Sequence, residues 1–168
     1  MGVSRSRQVL CFNQMKDDFM IYQYPVGVDC VWLASDAAGN LAAFVTGGEG
    51  AIPSSVLSNN SIQIEDVEMS ICGLDVVSDA RLLVPMPRPD DFIDIAKRGI
   101  YVFDWQDVSR ISRNRIGMYE KIAIPTNPIG LEILPNDLRN LAESVKFVSL
   151  FFSEYSRVDV EMLFECRN

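Results

Sequence analysis

The sequence predicts a single α+β domain spanning residues 1–168, with a mostly antiparallel sheet and about three helices packed against it. Three observations carry that expectation. Residues 29–53, D-C-V-W-L-A-S-D-A-A-G-N-L-A-A-F-V-T-G-G-E-G-A-I-P, hold two short apolar runs joined by a Gly-Asn turn, which is the pattern of a β-hairpin. Elsewhere apolar residues recur at helical spacing, as in Ile64, Val67, Ile71 and Leu74, between further short runs rich in β-branched and aromatic residues. A chain of 168 residues also buries enough surface to fold around one core without a metal or disulfide staple.

Taken in order, residues 8–12 read as a first strand, and 19–22 lead through Pro25 and Gly27 into the hairpin. Both hairpin runs are apolar almost throughout, so both faces should be covered and the hairpin should lie near the middle of the domain. A helical turn is expected at 54–57, a loop at 58–61, and then a helix through Ile71 that stops at Gly73. Residues 80–86 read as a strand, ended by the proline-punctuated connector at 85–89. Asp90 or Asp91 should cap a helix that runs to Lys97-Arg98 and ends at Gly99. Strands are expected at 100–103 and 119–124, a polar and locally basic loop at 109–117 between them, and a short extended segment at 131–134. A helix starting near Pro135 and two strands, 146–152 and 157–166, complete the chain, the last alternating as a half-solvated strand does.

Composition excludes several kinds of chemistry. The chain has no histidine, which removes Ser-His and Cys-His dyads. Cys11, Cys30, Cys72 and Cys166 are scattered and lack metal-ligand spacing, so free buried thiols are expected, with no metal and no cofactor. Asp90, Asp91 and Asp94 are accounted for by the first turn of a helix. Trp32 and Trp105 read as core anchors, and the formal myristoylation match at Met1-Gly2 and Ser6 is too short to weigh. Thr46-Gly47-Gly48-Glu49-Gly50 lacks the lysine and spacing of a phosphate-binding loop and reads as a turn requiring positive φ. A small ligand-binding domain or enzyme using that loop is the alternative function, with a secretion-system adaptor as a third. No signal-peptide pattern interrupts the expectation of a cytoplasmic protein.

Charge is the most informative physical feature. Thirteen acids between Asp17 and Asp94 face only Arg81 and Arg88, a net of −11, so the remainder carries +3 toward the total of −8. Such a half repels nucleic acid and attracts a basic protein, while Arg110, Arg113 and Arg115 make a poor nucleic-acid footprint against it. The partner-binding residues expected from this are Glu65, Asp66 and Glu68 on one helix face. Asp36 and Glu49 join them, exposed by the hairpin turn and the glycine loop. Simple solubility is the competing explanation for the same charges.

Residues 29–53, together with R-P-D-D-F-I-D-I-A-K-R-G-I-Y-V-F-D-W-Q-D-V at 88–108 and I-P-T-N-P-I-G-L-E-I-L-P at 124–135, resemble the small bacterial immunity proteins encoded beside polymorphic toxins. That resemblance implies a cytoplasmic toxin inhibitor that blocks one cognate toxin, in many cases a basic nuclease, by stoichiometric binding and active-site occlusion. It offers no catalytic residue to carry over and leaves the oligomeric state open, while the lack of any run of roughly 18 apolar residues separately predicts that no membrane is involved.

Overall fold

The structure is a computed structural model and describes residues 24–108, 115–159 and 162. The strands expected at 8–12 and 19–22, most of the basic loop, and Cys11 and Cys166 lie outside the described residues. Within them the chain forms one α+β domain with a sheet that is antiparallel except at one pair.

The hairpin forms where the apolar runs place it, as β1 (Val31–Ser35) and β2 (Leu41–Val45), with Trp32 opposite Phe44. Every residue of both strands is buried, which explains why neither run alternates. Gly39 at φ +83° supplies the left-handed residue that the intervening turn needs.

Among the described residues four helices follow the hairpin: α1 (Ser54–Leu57), α2 (Val67–Cys72), α3 (Asp90–Ala96) and α4 (Asn136–Glu143). A 3-10 turn at Ile64–Asp66 leads into α2. The remaining strands are β3 (Ala80–Leu82), β4 (Tyr101–Val108), β5 (Arg115–Pro125) and β6 (Arg157–Asp159). The sheet order is β1-β2-β4-β5-β3, and β6 shares the β3 edge of β5, pairing with Met118–Glu120 ahead of the Ala123–Pro125 stretch that β3 takes. Between β2 and β4 the chain travels through three helices, a crossover long enough to set these two strands parallel. Among the described residues no helix is long and apolar enough to cross a membrane.

An aromatic layer lies across the sheet. Trp32 stacks on Phe44 at 4.1 Å and Phe44 on Phe103 at 5.1 Å, while Tyr119 meets both Trp32 and Phe44 edge-on. Phe147 and Phe152, from the segment after α4, close over the rings. Alternate residues such as Leu33, Ala43 and Val102 project to the other side and are equally buried. Helices α2 and α4 pack on β1, and α3 on β3, β4 and β5.

Several local expectations change. Asp90 and Asp91 do not cap α3: Pro89 occupies the cap position with no side-chain bond, and the two acids sit in the first turn. Residues 131–134 are a 3-10 turn, Leu131–Ile133, rather than extended. The Arg139 guanidinium donates to the carbonyls of Leu131, Glu132 and Leu134, so the turn's free acceptors are satisfied from α4. Residues 146–152 are not a strand beyond a single bridge between Lys146 and Ser35. Their buried members, Phe147, Leu150 and Phe152, do not alternate. The strand expected at 80–86 stops at Leu82, ahead of Pro85, while β4 and β5 run past their expected ends because they pair with each other through Gln106 and Met118.

Candidate functional site

Two segments lift the acidic residues out of the core. In the 3-10 turn and α2, Val67 and Ile71 are buried, which turns Glu65, Asp66 and Glu68 to solvent. The Arg98 side chain locks α3 against the end of α2 by donating to the carbonyls of Cys72 at 2.8 Å, Leu74 at 3.2 Å and Asp94 at 3.1 Å. It also forms a salt bridge to Asp94 at 3.8 Å. This brings exposed Asp91, in the first turn of α3, toward α2.

The ionisation of the local groups reports the same convergence. The Glu68 carboxyl is raised above its ordinary range, first by partial burial and then by the charges of Asp91 and Asp29. The Cys30 thiol is pushed up to about 11 by burial, with Glu65 and Asp29 adding to the rise. The Cys72 thiol is raised by burial, opposed by Arg98 and assisted by Glu68, Asp94 and Asp91. Asp29 and Asp91 are thus near enough to Glu68, and Asp29 and Glu65 near enough to Cys30, for their charges to act there, and these four exposed acids, from three separate segments, make up the candidate negative face. Among the described residues none of the four forms a salt bridge.

Of the residues expected from the sequence, Glu65 and Glu68 lie in this face. Asp66 is exposed beside them in the chain. Glu49 is exposed in the glycine loop, and that loop is tied to Asp29, whose carboxylate accepts the Gly47 N–H at 2.8 Å.

Asp36 is not exposed, contrary to expectation. It is fully buried, and its carboxylate accepts the N–H groups of Ala38 and Asn40 at 2.9 Å each and that of Phe152 at 2.8 Å. A turn aspartate normally bonds its own loop. Here the segment after α4 also lies across the turn, leaving no face of Asp36 for a partner. The residues missed are Asp29 and Asp91, whose proximity to Glu68 depends on how β1, α2 and α3 pack and leaves no local signal in the chain.

The glycine loop has the conformation its composition implies, with Gly47 at φ +57° and Gly48 at φ +80°. Its amides are already engaged. Gly47 donates to Asp29, Gly48 to the Thr46 hydroxyl at 3.3 Å, and Glu49 and Gly50 to the Thr46 carbonyl at 3.2 and 2.8 Å. A carboxylate thus occupies the place an anion would take in a phosphate-binding loop. Gly50 is fixed for another reason: a Cβ there would lie 2.5 Å from the Tyr119 hydroxyl, which itself donates to the Ala51 carbonyl. Cys30 and Cys72 are free thiols, and among the described residues no group of Cys, Asp and Glu is arranged to hold a metal ion. Comparison with protein-family models, with curated proteins and with solved structures finds no match to this chain.

Proposed function

We propose that this protein is a cytoplasmic immunity protein that neutralises a cognate toxin by stoichiometric binding. What supports this reading is the set of exposed acids Asp29, Glu65, Glu68 and Asp91, whose charges act on Glu68 and Cys30 and none of which forms a salt bridge among the described residues. A fold tolerates such repulsion at a cost, and a basic partner relieves it. The mechanism is occlusion: the carboxylates enter the basic groove in which a nuclease holds its substrate phosphates, and the same charge keeps nucleic acid away. The glycine loop is a weaker basis for an enzyme or ligand-binding domain, because its amides are satisfied from within.

The test takes the product of the gene next to this one, which this reading expects to be a basic, toxin-like protein. The two proteins should co-purify, and their association should slow as salt rises. Reversing charge at Glu65, Asp66 and Glu68 together should slow association by on the order of tenfold or more while leaving the fold intact, since steering acts on encounter and exposed acids contribute little to folding. Association indifferent to both salt and the triple reversal would reduce the acidic face to a solubility device.

A further inference from the structure

Two buried charged side chains, Asp36 and Lys121, have no role in the acidic face, and both address one residue. The Asp36 carboxylate accepts the Phe152 N–H at 2.8 Å. The Lys121 ammonium donates to the Phe152 carbonyl at 2.8 Å and the Ser153 carbonyl at 3.2 Å. Among the described residues neither side chain forms a salt bridge. Tyr101 lies beside both: its ring centroid is 5.8 Å from the Lys121 ammonium and 6.3 Å from the Phe152 ring, and its hydroxyl feels the Asp36 charge. Opposite charges thus grip the two ends of one residue, through two successive peptide groups. The Asp36 carboxylate keeps the Ala38 and Asn40 N–H groups whether or not Phe152 is in place, whereas both carbonyls that accept from Lys121 belong to this segment, so the lysine's buried charge favours a single closed position.

The segment it holds is built differently from the rest of the fold. Residues 147–156 contain no regular strand, alternate poorly between buried and exposed positions, and present Val148, Phe151 and Tyr155 to solvent. Among the described residues, backbone attachment to the body consists of Phe147 N–H to Ser35, Ala37 N–H to Leu150, and Lys121 N–H to Ser156. Beneath it lie the rings of Phe44 and Phe103, which Phe152 covers. Phe147, Leu150 and Phe152 bury apolar surface that opposes opening, but few backbone bonds and much exposed surface are marks of a unit that opens below the global transition.

We propose that residues 147–156 form a strap that opens as one unit from a sheet that stays folded, and that Asp36 and Lys121, gripping Phe152, are its latch. Opening uncovers the aromatic layer at Phe44 and Phe103. Native-state hydrogen exchange on the intact chain tests this directly. The N–H groups of Ala37, Lys121, Phe147 and Phe152 should share one opening, exchange at least roughly tenfold faster than the amides of β2 and β4, and respond weakly to low denaturant. If these four instead exchange with β2 and β4 and show the same denaturant dependence, there is no separate strap. The latch is tested with Lys121→Met, which keeps the side-chain stem and removes the ammonium. Because the lysine's bonds are lost in the open state as well as in the unfolded one, the variant should accelerate strap and central amides by the same factor, roughly tenfold. Acceleration of the central amides with the strap amides unchanged would mean that the Lys121 contacts survive opening, and would overturn its role as latch. Should the variant fail to fold, the unmodified protein still decides whether the strap exists.

Discussion

Asp36 and Glu49 look alike in the sequence, each an acid in a turn beside the hairpin, and the structure separates them completely. Asp36 is buried with three backbone N–H donors on its carboxylate, whereas Glu49 is exposed. Removing Asp36 strands those donors inside the protein, so Asp36→Ala should lower stability by about 3 kcal/mol or more. Glu49→Ala should fall within about 0.5 kcal/mol of the parent. Denaturant unfolding of the two variants measures both effects, and a small effect at Asp36 would mean that its buried bonds carry no net stability. Turn composition identifies residues that start a turn, but the burial of Asp36 comes from Phe152, far away in the chain, and nothing local announces that. The glycines were more legible, since Gly47 and Gly48 adopt the positive φ that their cluster implies.

At the scale of elements, periodicity located most of the fold. The hairpin, α2, α3 and α4 stand where apolar spacing and stop signals put them, because each buries a stripe that its own sequence defines. What was misplaced depends on neighbours: the 3-10 turn at Leu131–Ile133 exists because Arg139 collects its carbonyls, and the segment after α4 is held by side chains rather than a strand ladder. Glu68 on α2 also makes a pH-dependent prediction. Burial and the nearby Asp91 and Asp29 raise the Glu68 carboxyl, so the folded state takes up this proton more readily than the unfolded chain does. Its contribution to stability is therefore full below the ordinary carboxylate range and is lost as pH rises through the raised value. Glu68→Gln removes that dependence. Thermal unfolding at neutral pH and near the ordinary carboxylate pKa should show the variant gaining on the parent at the higher pH, and an unchanged difference would mean that the cluster does not perturb Glu68.

For the whole molecule, the net charge of −8 and its concentration before Asp94 could be counted from the chain, but its arrangement could not. The parallel pairing of β2 with β4, and the packing of α3 against α2 by Arg98, bring Asp91 and Asp29 toward Glu68 from distant positions. A uniformly dispersed charge and a gathered one have the same sum and different energies, and salt distinguishes them. At about 0.1 M the screening length is about 10 Å, comparable with separations inside a cluster, so repulsion among gathered carboxylates weakens as salt is added. The unfolded chain, with the same acids spread apart, gains less. The melting temperature should accordingly rise between low and moderate sodium chloride, and neutralising Glu65, Glu68 and Asp91 together as Gln, Gln and Asn should raise it at low salt and flatten its salt dependence. Neutralising three exposed acids that are not among the charges raising Glu68, Cys30 or Cys72, namely Glu132, Glu143 and Glu154, provides the comparison, because it changes net charge equally. If both triple variants respond to salt alike, net charge alone governs the effect and the convergence on this face has no energetic weight. If only the first loses its salt dependence, the molecule stores repulsion at the surface on which a basic partner would relieve it.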